Sequence, residues 1–470
     1  MTRVPDGFVL GVATAAAQIE GAADEDGKGP SIWDTFARVP GAVLGGNTPD
    51  VACDHYHRWR SDLDLLSWLG VDAYRFSISW PRWQPGGSGA TNAAGVGFYD
   101  QLVDGLLERG IQPWATLYHW DLPRELEDAG GWAVRATAER FADYAASVGD
   151  VLGDRLAGIA TLNEPWCSAF LGYAGGVHAP GAMDDARAVA AVHHLLLGHG
   201  LAVDALRART TAGATPAQLG IVLNVYPVEP ATDDPADADA ARRIDGIANR
   251  IFLDPLLRGA YPDDVRADLA DVSDFSHVRD GDLEVISRPL DFLGENYYSP
   301  YVVRGPSADV DEASRRAGDH TGGSSRTTRS PWPGARDVVF ADRGRPRTLM
   351  GWEVEPAGLR RVLDRLVAYG APALYVTENG AAYEDEVADG AVHDADRTAY
   401  VRDHLGVALQ ARADGLDVRG YFLWSLMDNF EWSWGYSRRF GAVRVDYETQ
   451  ERIPKDSAHW YREVARTRQL

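Results

Sequence analysis

Cysteine is nearly absent: the 470-residue chain carries two, Cys53 and Cys167. That excludes a disulfide framework and a cysteine-rich metal site. The opening residues, Met1-Thr2-Arg3-Val4-Pro5-Asp6-Gly7, lack the apolar core of a signal peptide. No run of about 18 apolar residues is found, so the expectation is a chain without a membrane span, in the reducing cytoplasm. Positive charge is scarce, with 46 Lys plus Arg against 69 Asp plus Glu and a net charge of −23. Such a chain repels phosphate backbones and anionic surfaces, which argues against nucleic acid and membrane partners. There is no internal repeat, no low-complexity tract and no linker, so residues 1–470 read as one domain.

Tryptophan, by contrast, is abundant. Fifteen copies are more than a core needs, because each buried indole N–H wants a partner; the excess points to an aromatic-walled pocket. Apolar runs alternate with helical patterns along the chain, the signature of a parallel sheet with crossover helices. Eight strands are expected at 8–14, 72–78, 112–118, 157–163, 219–224, 291–297, 373–378 and 419–425, with helical patterns such as Ser61 to Leu69, Phe98 to Glu108 and Ala357 to Val367 between them. Eight such units make a (β/α)8 TIM barrel, enlarged beyond the usual ~250 residues by long loops at the carboxyl ends of the strands. An open doubly wound sheet would bring a Gly-rich phosphate loop after its first strand, and none is present. The most polar insertion, 304–347, follows the sixth strand and should lie over the upper face of the barrel.

Two strand ends carry the chemistry. Thr161-Leu162-Asn163-Glu164-Pro165 and Tyr375-Val376-Thr377-Glu378-Asn379-Gly380 each place a glutamate where an apolar run stops, the position at which a β/α barrel presents reactive groups. Two carboxyls facing one another across a pocket are the minimum equipment for breaking a glycosidic bond: one gives a proton, the other stays ionised. Pro165, Trp166 and Phe170 supply the apolar surroundings that keep an acid protonated. Arg75, in the second strand, demands a carboxylate partner if buried.

With Asp428-Asn429-Phe430-Glu431-Trp432 and the early Gly11 to Gly21 segment, these motifs resemble the retaining β-glucosidases of glycoside hydrolase family 1, in the family's order along essentially the whole chain. The resemblance implies Glu164 as general acid/base and Glu378 as nucleophile, with Arg75 and Tyr298 holding the nucleophile and Asn296 in the same cluster. It implies Asn163 at the sugar 2-hydroxyl, Gln18 on two adjacent hydroxyls, His119 at the 3-hydroxyl, and Glu431 at the 4- and 6-hydroxyls beside Trp432. Trp424 would be the apolar floor. The implied substrates are small β-glucosides such as cellobiose, cleaved without cofactor or metal. Trp120, Trp166, His178, Asn224 and Trp352 are candidates for the leaving-group side. A carboxylate at 431 would repel a 6-phosphate in a dry pocket, which argues against phospho-glycosides.

Some positions depart from the family pattern. Leu10 stands where an aromatic is usual, and Ala16-Ala17 precede Gln18 in place of a bulkier pair. Trp434 replaces a commoner acidic residue, which would favour aryl or longer aglycones. Glu295, in Gly294-Glu295-Asn296, replaces an apolar residue; it points outward or adds charge to the site. His55, His57, His193 and His194 read as helix residues and not as ligands, and Cys167 as a small wall residue. The rivals are a sugar-binding pseudoenzyme, which would lose one of the two glutamates; a metal-dependent barrel, whose strand ends would carry more acids than the Asn and Tyr found here; a transglycosidase; and a glycosidase of wider galactoside or fucoside range.

Overall fold

The computed structural model describes residues 3–209, 216–306 and 325–470. Eight parallel strands close into a barrel in chain order: β1 (Val9–Ala13), β2 (Ala73–Ser77), β3 (Gln112–Tyr118), β4 (Gly158–Asn163), β5 (Gln218–Leu223), β6 (Phe292–Asn296), β7 (Ala373–Asn379) and β8 (Val418–Trp424). Closure is direct, with Ala13 opposite Trp424 on one side and Arg75 on the other. The expected strands all occur, within a residue or two at each end.

The lower barrel is plugged by aromatic rings. Trp114 packs on Tyr375, Phe292 and Phe422 at 4.7, 5.3 and 5.6 Å between centroids. Four large rings fit in one layer only if neighbouring strands contribute no side chain. A Cβ on Gly11 would lie 2.4 Å from Phe422, and one on Gly158 2.4 Å from Trp114. These strand glycines are therefore packing requirements. With the bottom filled, a pocket can form only at the carboxyl ends of the strands.

The register slips on several pairings, including twice between β7 and β8. β4 loses its regular pairing with β5 between Ala160 and Asn163, and β7 with β6 between Val376 and Glu378. Irregular pairing re-aims side chains, and these are the two strands whose ends carry Asn163, Glu164 and Glu378.

Helices form the outer layer, and two begin earlier than periodicity predicts. The first is His55–Leu69, whose opening turn is polar, with Asp54 accepting from His57 and Arg58. The next is Ala93–Glu108, whose Gly95 and Gly97 mimic a break. Gly95 is demanded by packing, since a Cβ there would stand 2.1 Å from the Arg82 carbonyl. The expectation of no membrane-length apolar segment needs correction: Asp185–Arg207 is long and apolar enough by composition, with a mean hydropathy of 1.4. However, 78% of its apolar window is buried inside the protein, as in a core helix of a large barrel.

Within the 304–347 insertion, 307–324 lie outside the described residues. The part that follows returns to the upper face. Val339–Phe340 pairs antiparallel with Tyr301–Arg304, and Trp332 packs on Trp166 at 4.9 Å.

Candidate active site

Above the aromatic plug, side chains two residues further along each strand turn polar. On β2 this is Arg75, two beyond Ala73; on β3, Thr116, two beyond Trp114; on β6, Asn296, two beyond Gly294. Arg75 is 2% exposed and each of its three nitrogens donates. Nε donates to Thr116 Oγ1 at 3.1 Å, Nη1 to Glu378 Oε1 at 2.6 Å and Nη2 to Asn163 Oδ1 at 2.6 Å. Tyr298 OH donates to the other oxygen, Glu378 Oε2, at 2.8 Å. Burial pushes the Glu378 carboxyl above its usual range, and the Arg75 charge with these hydrogen bonds pulls it only part of the way back. Both oxygens are thus held by donors, the surroundings of an ionised carboxylate.

Glu164 has a different shell. Asn296 Nδ2 donates to its Oε1 at 2.5 Å, and the Cys167 thiol donates to Oε2 at 3.0 Å. It has no salt bridge among the described residues. Burial, and then the negative charge of Glu378, push it up to about 7. Its backbone sits in the left-handed region at φ 44°, as do Trp120 at 77° and Trp432 at 47°. Each such residue costs on the order of 1–3 kcal/mol and persists where its surroundings over-determine it. For Glu164 the anchor is its N–H, which donates to the Val222 carbonyl at 2.9 Å.

The Asn163 amide orientation sets a tautomer. Its Oδ1 accepts from Arg75 and, at 3.0 Å, from Asn296. Its Nδ2 therefore donates to His119 Nε2, at 3.1 Å. That leaves the proton on His119 Nδ1, which is buried and unpartnered. Burial and Arg75 hold the imidazole well below its usual range, so it is neutral. Gln18 Nε2 donates to Asn429 Oδ1 and the Phe430 carbonyl at 3.0 and 2.9 Å, while its Oε1 is buried without a partner. A free donor and a free acceptor thus flank the cavity.

The cavity measures about 670 Å³ including its mouth. Glu164, Glu378 and Glu431 share it with Trp424, Trp432 and Tyr298. Trp120, Trp166, His178 and Trp352 line its outer part, and so does Trp434, on whose ring Arg438 stacks at 3.9 Å. Asn224 is not on the wall. It stands behind Cys167, its Nδ2 donating to Tyr226 OH at 3.1 Å and facing Cys167 Sγ at 3.7 Å. Arg75, Asn163, Asn296 and Gln18 lie beneath the wall, at 0–2% exposure.

Glu295 points outward, opposite in sense to Asn296, into the layer between barrel and helices. It is fully buried, one oxygen accepting from Val225 N at 3.3 Å and the other unpartnered. Burial pushes it well above the usual carboxylate range, so it is neutral. Glu431 is also pushed up, to about 8, by burial and then by Glu378 and Glu164. The case against a 6-phosphate therefore changes form. The negative potential that protonates Glu431 opposes the phosphate, more than a fixed charge on Glu431 itself.

The sequence reading missed Thr116 and Thr377, which position Arg75 and Asn296 (Thr377 Oγ1 donates to Asn296 Oδ1 at 2.8 Å). Two-residue spacing from the plug residues Trp114 and Tyr375 was the signal available. It also missed Tyr226 and Leu171 on the wall, and the hydrogen bond of Cys167 to Glu164.

Comparison with known proteins agrees with this geometry. The pattern described as Glycosyl hydrolase family 1 matches residues 1–470. A bifunctional β-D-glucosidase/β-D-fucosidase of Bifidobacterium breve is 49% identical, over 98% of this chain and 98% of its own. β-Glucosidase A of Thermotoga maritima is 44% identical over 100% and 99%. The crystal structure of a psychrophilic β-glucosidase from Micrococcus antarcticus superposes with a TM-score of 0.94 at 47% identity, covering 100% of both chains.

Proposed function

Because the chain belongs to glycosyl hydrolase family 1, we propose that it is a retaining β-glucosidase, acting on terminal non-reducing β-D-glucosyl residues of small oligosaccharides and aryl or alkyl glucosides. One observation carries the assignment of roles. Two strand-end glutamates share one cavity, and only one of them is paired with a cation. Glu378, held by Arg75 and Tyr298, attacks the anomeric carbon as the C1–O bond breaks. Glu164 gives its proton to the departing oxygen. In the second half, Glu164 takes a proton from water, which attacks C1 and releases Glu378. His119 Nδ1–H and Gln18 Oε1 are a donor and an acceptor awaiting sugar hydroxyls, with Glu431 beside them and Trp424 under the C–H face of the ring.

Cellobiose and short cello-oligosaccharides are the natural substrates in this reading, with residues 1–470 acting as a single catalytic domain. Two free buried thiols support a reducing, cytoplasmic location. The Bifidobacterium relative's name favours a second activity on β-fucosides. A D-fucoside lacks the 6-hydroxyl and turns the 4-hydroxyl axial, so such an activity asks Glu431 to give up the first contact and re-aim the second.

The test is a proton NMR time course of an aryl β-glucoside with the purified protein. β-Glucose appears first and mutarotates afterwards. If α-glucose appears first, Glu378 is not a nucleophile; if neither appears with glucosides or fucosides, the protein is a binder.

A further inference from the structure

The mechanism above assigns no task to Cys167, yet its sulfur makes the closest polar contact to Glu164 Oε2 that the structure shows. Three facts fix what that contact means. First, Asn296 Nδ2 has only donors, and it faces Glu164 Oε1 at 2.5 Å while its other N–H faces Asn163. Oε1 faces the stronger donor and keeps the carbonyl character of the better acceptor, which places the proton of the acid on Oε2, opposite the weaker thiol. Second, Asn224 Nδ2 approaches Cys167 Sγ at 3.7 Å. An amide N–H occupies a sulfur lone pair, which turns the S–H toward Glu164. Third, Cys167 is 6% exposed and lines the cavity, so this contact exists where the leaving group departs.

Resting on the reading of Glu164 as proton donor, we propose that Cys167 is a positioning residue: its thiol holds the proton-bearing oxygen of Glu164 and tightens that hold as the proton leaves. With Oε2 protonated, its second lone pair accepts a weak S–H bond. When the proton passes to the glycosidic oxygen and the C1–O bond breaks, Oε2 becomes a carboxylate oxygen and the same S–H bond strengthens. Sulfur suits the task because a thiol is a weak donor. A stronger donor would stabilise the carboxylate before substrate arrives and leave less of the acid protonated. A side chain without a donor would give the departing proton no compensation. The other charged or titratable groups facing Glu164 are Glu378, Arg75, Tyr298, Glu431, Glu295 and Tyr226. None of them makes a hydrogen bond to Oε2 in the structure.

The test compares wild type with Cys167→Ala and Cys167→Ser. Folded sites are counted by the dinitrophenolate burst from a 2-deoxy-2-fluoro glucoside. With phenyl β-glucoside, whose departure needs the acid, the alkaline limb of kcat/KM moves up by about half a pH unit in Cys167→Ala and down in Cys167→Ser. With dinitrophenyl β-glucoside, which departs unaided, kcat/KM stays within about twofold in both. Limbs that stay put, or move the same way in both variants, overturn the proposal; a packing residue gives that result. Glu164→Gln serves as the control. If it slows both glucosides equally, the donor reading falls and this proposal with it. If it slows only the phenyl glucoside while the limbs of the Cys167 variants do not move, only this proposal falls. A variant-free measurement uses the infrared thiol stretch of the wild type. The Cys167 band shifts to lower frequency as pH rises through the alkaline limb. The Cys53 band, from an S–H donating to the Asp428 carbonyl at 3.0 Å, stays fixed. Two unmoving bands overturn the proposal.

Discussion

Two clusters of charge, joined along the chain by the Asp428–Trp432 segment, are built on opposite principles. Beneath the Asp428–Trp432 loop, Asp385, Asp394 and Asp428 meet Arg397, Lys455 and Arg439. Lys455 reaches Asp385 at 2.5 Å and Asp428 at 2.7 Å, Arg397 reaches Asp385 and Asp394 at 3.0 and 2.5 Å, and Arg439 reaches Asp428 at 2.6 Å. Three acids face three bases. In the cavity above, Glu164, Glu378 and Glu431 share a single close ion pair, that of Glu378 with Arg75. In the lower cluster Asp385 is pulled below its usual range by Lys455 and Arg397 against the cost of burial. The upper cluster lets two of its acids rise to about 7 and about 8. Balanced charge anchors a loop. Unbalanced charge leaves protons available near neutral pH, which is what acid catalysis requires.

The largest effect should come from the one balanced pair inside the cavity. Glu378→Gln removes the attacking oxygen, and kcat/KM on every aryl glucoside should fall by at least about 10⁴-fold, with a lower melting temperature because the buried Arg75 loses its carboxylate partner. A fall confined to poor leaving groups would move the nucleophile elsewhere.

Breaking the lower cluster should cost stability and not chemistry. Lys455→Met strands two buried carboxylates and should destabilise the fold by about 3–5 kcal/mol, read by denaturant unfolding. Glu431→Gln, which removes an uncompensated buried acid, should weaken glucoside binding yet leave stability equal or higher. If both variants destabilise alike, the contrast between the clusters is wrong.

The pH profile sharpens the same contrast. Glu164 must be protonated to act, so kcat/KM with a poor leaving group should fall as pH rises through about 7. In Glu378→Gln the repelling charge is gone, and Glu164 should titrate lower, visible in the ¹³C signal of its carboxyl carbon. An unmoved or raised titration would show that Glu378 does not set it.

The smallest effect concerns Glu295. Its folded-state pKa is raised by burial, so the native state keeps a proton that the unfolded chain loses above the ordinary glutamate range. Stability from this group is therefore full at acid pH and lost as pH rises from that range toward the raised folded value. Glu295→Gln should match wild type at about pH 4 and gain on it steadily toward alkaline pH in thermal melts. Parallel curves would mean that Glu295 is charged in the fold.

Much of this site was legible in the chain because strand ends announce themselves. Apolar runs stop at Asn163-Glu164 and at Thr377-Glu378-Asn379, and a closed parallel barrel gathers all such ends at one face. The strand positions were equally plain, since buried parallel strands are continuous apolar runs. Early helix starts were not, because polar or glycine-containing first turns carry no apolar stripe. Asn224 was misplaced on the wall because its side of the strand depends on where β5 (Gln218–Leu223) ends and the loop turns. Cys167 looked idle because no spacing rule connects a thiol to a carboxyl three residues earlier through left-handed backbone at Glu164.

The order of strands, the closed barrel, the aromatic content and the identity of the two glutamates follow from local pattern, since burial periodicity and chain connectivity leave few other arrangements. The protonation of those glutamates does not. Glu164, Glu378, Glu431 and Glu295 are the same residue in four surroundings, and sequence neighbours say little about them. Arg75 is 303 residues from Glu378 along the chain, and Asn296 is 132 from Glu164. Proton affinity depends on burial and on charges within a few ångströms, and those distances exist only once the barrel has closed.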